Sequence, residues 1–436
     1  MGNFENGVHP NGFKELSAEK AFVPFIPQGD LVFPLGQHLG RPAAPIVKRG
    51  DVVTAGQIIA EASGFISANI ISSCSGKVKA VDATSITIAN DGLYTMAEGI
   101  GEECDPTTLD SAAIIAKVKA AGIVGLGGAG FPTHVKLAPK NPAAIDTVIA
   151  NGTECEPYIT CDDRLMREKS AEIIGGLKIL LQLFPGARGV VVIEDNKPAA
   201  IESMKAAAEG TGIEIMPVET RYPQGGERQI IYTVTKRQNA AGVLPADLGV
   251  VVDNVGTIYA IYQAVCKNTP LMEKGFTVTG DGITNPSNFW VKIGTPLSDL
   301  VEACGGFAGE PKKLILGGPM MGASIEGVAN RPIMRQQNAL TVLQNDEVET
   351  ALDLMTECIR CGKCIKACPL GLYPQIMAQA ARKKDYERYE QAYGLQCMGC
   401  GSCTFACPAK RPLMQLFKMT KAQIMADKAK AKEGGK

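Results

Sequence analysis

Cys358-Ile359-Arg360-Cys361-Gly362-Lys363-Cys364-Ile365-Lys366-Ala367-Cys368-Pro369 is followed by Cys397-Met398-Gly399-Cys400-Gly401-Ser402-Cys403-Thr404-Phe405-Ala406-Cys407-Pro408, so C-x2-C-x2-C-x3-C-P occurs twice without deviation. This is the ligand spacing of a protein that holds two [4Fe–4S] clusters. Three thiolates of each loop face one cubane, and the proline directs the fourth towards the other. Cys358, Cys361, Cys364 and Cys407 are thus expected at one cluster, and Cys397, Cys400, Cys403 and Cys368 at its partner. Zinc usually takes two C-x2-C pairs and needs neither the third cysteine nor the proline. Disulfides suit an oxidising compartment.

Working outward, the chain of 436 residues is long enough for about three domains. Its 44 basic and 45 acidic side chains leave no basic excess for phosphate neutralisation, which argues against nucleic acid as a partner. The start, Met1-Gly2-Asn3-Phe4-Glu5-Asn6, has no basic region followed by an apolar one, so nothing marks it for export. Apolar runs such as Ile173 to Phe184 fall short of the ~18 residues that a membrane span needs. Eight of the fourteen cysteines belong to the repeat. The other six, Cys74, Cys104, Cys155, Cys161, Cys266 and Cys304, read as buried free thiols. Thiolates kept for iron require a reducing compartment, hence the cytoplasm or the cytoplasmic face of a membrane.

Residues 1–30 carry several prolines, among them Gly7-Val8-His9-Pro10, and read as an extended arm in which a lone His9 is structural. From 31 to 95, short β-branched runs alternate with Gly turns (Arg49-Gly50-Asp51-Val52-Val53, Ser75-Gly76-Lys77-Val78) and predict a small β domain. It resembles a barrel-sandwich hybrid of the biotinyl/lipoyl kind. Gly64-Phe65-Ile66 stands where a swinging-arm carrier needs a lysine, so the domain is expected to be a scaffold. Residues 110–271 alternate helix and strand, which predicts an α/β sandwich. Four glycines in Gly125-Leu126-Gly127-Gly128-Ala129-Gly130 let backbone N–H groups approach a phosphate, and Lys136 can add a charge. A tight structural turn is the other reading of such a loop. The strand Thr147-Val148-Ile149-Ala150 runs into Asn151-Gly152-Thr153-Glu154-Cys155-Glu156-Pro157, which puts an amide and acids at a strand's carboxyl end, where open α/β sheets bind ligands.

The segments Gly125 to Leu137, Asn151 to Pro157, Tyr222 to Glu227 and Val252 to Thr257 resemble, in order and rough separation, the flavin site of the FMN-carrying, NADH-oxidising subunit of respiratory complex I. That resemblance implies FMN phosphate at Gly125, Gly127, Gly128 and Lys136. It implies flavin and ribityl contacts at Asn151, Glu154, Tyr222, Gly225, Asp253, Asn254 and Thr257. For NADH it implies stacking on Phe131 and polar contacts from Glu156 and Glu227, which would orient the nicotinamide. Thr153 replaces an acid of the pattern, and Pro139 stands where the family has a second stacking aromatic.

Residues 272–325 offer two strands, Phe276 to Gly280 and Phe289 to Ile293, and a helix with Thr295 as its expected N-cap; they resemble the soluble-ligand-binding β-grasp that accompanies that flavin domain. Gly317-Gly318-Pro319-Met320-Met321-Gly322 is a tight turn, read as structural. Residues 345–420 form the cysteine-rich region. The helix formers between its motifs, Pro374 to Tyr393, favour an α-helical ferredoxin arrangement. The basic tail, 421–436, reads as a solvated helix.

Two cysteine motifs at the end and a barrel-sandwich segment at the start set the chain apart from the complex I flavoprotein. Over nearly its whole length it resembles the RnfC family, the C subunits of the Rnf complex, an ion-translocating ferredoxin:NAD oxidoreductase. This implies a peripheral subunit of a membrane-bound translocase, partnered by an iron–sulfur subunit and integral membrane subunits, with two [4Fe–4S] clusters, FMN and NAD(H). No nucleophile or acid–base pair is expected. One alternative of similar layout is the cobalamin reductase of diol-degrading microcompartments; another is a relay-only subunit without a nucleotide site, which would lack a flavin absorption band.

Overall fold

The computed structural model describes residues 4–239 and 242–434. Residues 31–95 fold as two small antiparallel sheets. One contains Leu31–Pro34, Ser85–Asn90, Gly76–Val81 and Val52–Val53; the other contains Ala44–Pro45, Ile58–Glu61 and Ile70–Ile71. Leu31, Phe33, Ile59, Ile70, Val78, Ile86 and Ile88 form their shared core. Phe65, on the expected hairpin, is exposed.

The flavin-type domain is built on four parallel strands in the spatial order Glu214–Val218, Arg188–Glu194, Thr147–Gly152, Val250–Asn254. Helices Ser170–Leu183, Pro198–Ala208 and Val255–Cys266 share a core with one face, through Val148, Ala150, Val191, Ile193 and Val251. Ile230 and Ile231 of helix Glu227–Thr235 cover the other, packing with Ile149, Val190, Val192 and Val252. Burial on both faces explains the apolar runs of Arg188–Glu194, Thr147–Gly152 and Val250–Asn254, whereas the edge strand Glu214–Val218 is only partly buried. The register pairs Asn254 with Asn151, so the two polar strand ends lie side by side at the carboxyl edge of the sheet.

The β-grasp sheet is wider than 272–325. Its six strands include Phe22–Phe25 from the arm, parallel to Ser287–Lys292, and Ala339–Leu343, parallel to Glu273–Thr279. The helix there spans Leu297–Ala303 with Pro296, not Thr295, at the N-cap. The Thr295 hydroxyl donates instead to the Lys292 carbonyl at 2.7 Å, so it closes the preceding turn and leaves the helix amides alone. In the cysteine-rich region Pro374–Arg382 and Tyr386–Gln391 are separate helices, broken at Lys384, whose φ is +55°. A long helix, Leu413–Gly434, packs Phe417 and Ile424 against Met377 and Tyr389. Within the tail only Ile424 is buried among the described side chains, and those from Met425 to Ala431 are exposed, as in a solvated helix. No helix among the described residues is long and apolar enough to cross a membrane.

Candidate flavin and iron–sulfur site

The glycine-rich loop is held at its base by Gly125 N–H donating to the Phe131 carbonyl at 2.9 Å, and by Leu126 N–H donating to Thr257 Oγ1 at 3.0 Å. Gly127 and Gly128 are exposed on its outer side. A Cβ at Gly127 would lie 2.8 Å from Asn254 Nδ2, so loop and strand end approach too closely for a side chain. Asn254 also caps helix Val255–Cys266, its Oδ1 accepting from Gly256 N–H at 2.8 Å, while its Nδ2 donates to Asp162 at 2.7 Å.

Lys136 reaches the same place. Its ammonium donates to the Val252 carbonyl at 2.6 Å and to Asp253 Oδ1 at 3.0 Å. Burial pulls the ammonium's pKa down, but Asp253 and the charge of Glu227 outweigh it and the net direction is up. Burial raises the Asp253 carboxyl although Lys136 opposes it. Asp253 Oδ2 is buried without a hydrogen-bond partner among the described residues. A buried acceptor left open beside an ammonium and a side-chain-free loop fits a phosphorylated polyol chain such as that of FMN.

Across the sheet edge, Asn151 Nδ2 donates to the Gly225 carbonyl at 3.0 Å, and its Oδ1 accepts from Thr153 N–H at 3.1 Å. A Cβ at Gly225 would lie 2.7 Å from the Thr153 carbonyl. Glu154 is buried, accepts from Asp162 N–H at 2.8 Å, and is pushed up by burial. Phe131 is half-buried, and Glu227, in the first turn of helix Glu227–Thr235, is exposed. Glu156 is already engaged: its carboxylate accepts from Met320 N–H at 3.0 Å and Met321 N–H at 2.8 Å, with the Tyr222 hydroxyl 3.4 Å away.

Sequence reasoning missed three of the residues that hold this site. Lys14 of the arm inserts its ammonium under the Asn151–Pro157 loop and donates to the carbonyls of Glu154, Glu156 and Ile159 at 2.7, 2.8 and 2.5 Å. Asn6 donates to the Cys368 carbonyl at 3.0 Å, and Val8 pairs with Tyr222 in a two-bond antiparallel bridge. No local pattern marks a single Lys, Asn or Val in a proline-rich arm. His9 is structural in its contacts, Nδ1 lying 3.1 Å from the Thr220 carbonyl.

The eight repeat cysteines gather in two neighbourhoods. Cys368, Cys397, Cys400 and Cys403 line one cavity with Leu372, Met377, Met398 and Phe417. In the other, burial raises the Cys407 thiol and the charges of Cys361 and Cys358 add to it. Cys364 is raised by burial and then by Cys407, Cys358 and Cys361. The first group is the inner one, with Cys368, Cys400 and Cys403 buried; Cys358 and Cys361 of the outer group are exposed. Four convergent thiols per neighbourhood, with apolar walls around the inner one, fit a cubane. Of the remaining cysteines, Cys74, Cys161, Cys266 and Cys304 are buried, whereas Cys104 and Cys155 are only half-buried. Cys155 lies in the site, its Sγ accepting from Gly225 N–H at 3.4 Å.

Four family profiles match consecutive parts of the chain: the RnfC barrel sandwich hybrid domain over residues 2–106, the Nuo51 FMN-binding domain over 118–263, the SLBB domain over 276–324 and a 4Fe-4S dicluster domain over 357–411. Among solved structures, the chain is similar to an NAD+-reducing [NiFe]-hydrogenase in its air-oxidized state, with a TM-score of 0.52 and 21% identity over 76% of this chain and 65% of that one. This likeness concerns the fold. Among sequences, it is 42% identical to the C subunit of the proton-translocating ferredoxin:NAD(+) oxidoreductase complex of Clostridium ljungdahlii, over 99% of this chain and 96% of the relative. It is 40% identical to the Na(+)-translocating counterpart of Acetobacterium woodii, over 98% of each. It is also 42% identical to the C subunit of the ion-translocating oxidoreductase complex of Rhodobacter capsulatus, over 97% of this chain and 83% of the relative. Such identity across almost the full length of both chains means that this chain belongs to the RnfC family, the C subunits of the ion-translocating oxidoreductase, or Rnf, complexes.

Proposed function

We propose that the chain is the peripheral electron-transfer subunit of a membrane-bound ferredoxin:NAD+ oxidoreductase that translocates ions, seated on the cytoplasmic face beside an iron–sulfur subunit and integral membrane subunits. Cys358, Cys361, Cys364 and Cys407 would hold one [4Fe–4S] cluster, and Cys397, Cys400, Cys403 and Cys368 the other. Gly125, Gly127, Gly128 and Lys136 would hold FMN phosphate, with Asn151, Glu154, Tyr222, Gly225, Asp253, Asn254 and Thr257 around the ribityl chain and ring. When bound, these groups join carriers of single electrons to a nicotinamide that takes two as hydride.

The chain's own residues do the positioning. The amides of the glycine loop would donate to phosphate and the Lys136 ammonium would offset its charge, while Asp253 Oδ2 would accept from a hydroxyl. Phe131 offers a stacking face to NAD(H), and Glu227, exposed in its helix's first turn, offers a carboxylate to the nucleotide's polar groups. Glu156 joins it only by giving up the Met320 and Met321 amides. The observation that carries this reading is the hydrogen bond from the Tyr222 hydroxyl to the Cys400 carbonyl at 2.8 Å, because it joins the flavin-type loop to the inner cysteine group within one chain. The test is NADH-dependent reduction of an artificial acceptor by the FMN-loaded protein. Turnover supports the nucleotide site, and its absence removes it.

A further inference from the structure

The Gly317–Gly322 turn springs from the β-grasp sheet, to which Gly317 N–H is tied through the Ala339 carbonyl at 2.8 Å and the Gly317 carbonyl through the Thr341 hydroxyl at 2.8 Å. The amides at its tip do not serve that sheet. Met320 N–H and Met321 N–H both donate to the carboxylate of Glu156, one to each oxygen, across 164 and 165 residues of chain. The turn is shaped for this guest. A Cβ at Gly318 would lie 2.2 Å from Glu156 Oε2, and one at Gly322 would lie 2.4 Å from the Gly318 carbonyl. Two convergent amides on a bare glycine turn make an anion receptor.

The contact continues beyond Glu156. The Tyr222 hydroxyl lies 3.4 Å from Glu156 Oε1 and donates to the Cys400 carbonyl. The Met320 carbonyl sits so close to Gly401 that a Cβ there would be 3.1 Å from it. Met320, Tyr222, Cys155, Met398 and Cys400 pack in one apolar cluster with Val8 of the arm. The turn thus touches both the flavin-type loop and the inner cysteine motif.

We propose that the Gly317–Gly322 turn is a receptor for the chain's own Glu156 carboxylate, and that this latch, through Tyr222 and Gly401, positions the inner cysteine group against the flavin-type pocket. The β-grasp module then takes its ligand from the same polypeptide, and Glu156 is a positioning residue. Burial pushes the Glu156 carboxyl up to about 7, and the Met320 and Met321 amides act against that rise. The part concerning electron transfer rests on the cofactor reading above; the latch itself does not.

Two measurements separate these. Hydrogen exchange on the full chain reads the latch with or without cofactors: the Met320 and Met321 amides should be protected in the parent and exchange at least about tenfold faster in Glu156→Ala, with the sheet strands unchanged. Equal exchange in both would overturn the latch. In the protein carrying FMN and iron, Gly318→Ala, which drives a methyl into the carboxylate, should keep FMN and iron content. It should change the EPR signal and midpoint potential of one cluster only and slow flavin-to-cluster transfer about tenfold. Should Gly318→Ala fold poorly, Glu156→Ala gives the same readout without added bulk. Unchanged signals, or equal changes in both clusters, would overturn the positioning role. Loss of the cofactor reading would be seen separately, as missing flavin or iron in the parent protein.

Discussion

The hydroxyl of Tyr222 donates to the carbonyl oxygen of Cys400 at 2.8 Å, joining residues 178 positions apart at the boundary between the flavin-type domain and the inner cysteine group. Tyr222 is almost fully buried, so its ring is packing as well as donor. Tyr222→Phe should keep the packing and remove the bond, at a cost of about 1 kcal/mol in urea unfolding. Tyr222→Ala should cost about 3–5 kcal/mol. A phenylalanine variant as damaged as the alanine one would assign the residue an essential bond in place of a modest one.

Lys136 faces Asp253 in the place where a phosphate would compete for it. Lys136→Met removes the cation from both partners, and Asp253 is then buried without its counter-charge. FMN affinity should fall at least about tenfold, the value of one charge-assisted hydrogen bond, in a fluorescence titration. Iron content should stay the same. Unchanged FMN affinity would move the phosphate away from this lysine.

The crossed arrangement of the cysteines predicts an asymmetric result. Cys368 lies in the first motif but lines the cavity of Cys397, Cys400 and Cys403. Cys368→Ser should therefore perturb the buried cluster of the second motif, and Cys407→Ser the exposed cluster of the first. EPR of each variant after chemical reduction distinguishes this from damage confined to the motif that carries the substitution.

Glu156 links stability to pH. Its carboxyl has an ordinary value of 4.5 and is raised to about 7 in the fold, chiefly by burial. A raised acid binds its proton more tightly when folded, so its contribution is complete below about 4.5 and fades as pH rises to about 7. Between those values the parent chain should lose up to about 1–3 kcal/mol relative to Glu156→Gln, which cannot titrate. Unfolding midpoints of both proteins measured across that window check the slope; parallel curves would remove Glu156 as its source.

How much of this was legible in the sequence depended on range. The cysteine spacing and the strand-to-helix alternation of the flavin-type domain are local, and the elements stand within a residue or two of where periodicity puts them. The strand expected from Thr147 to Ala150, for example, is Thr147–Gly152. Thr295 shows the limit of local rules, since its hydroxyl had a nearer carbonyl to bond than the helix amides. The contacts that assemble the site are long-range. Lys14 meets the Asn151–Pro157 loop, Asn6 meets Cys368, and Met320 meets Glu156. None of these pairs leaves a periodic trace, because each depends on where separate domains dock. The Gly317–Gly322 turn was visible as a turn, but its partner was not. Resemblance supplied the flavin residues; physics alone would have offered a phosphate loop and a polar sheet edge.

The central claim is that two cubanes and one flavin share this polypeptide, and anaerobic purification with iron, sulfide and FMN counted per chain tests it most directly. The account predicts about eight irons, about eight sulfides and about one FMN per chain. Markedly fewer irons, or a chain that cannot retain FMN, would contradict it.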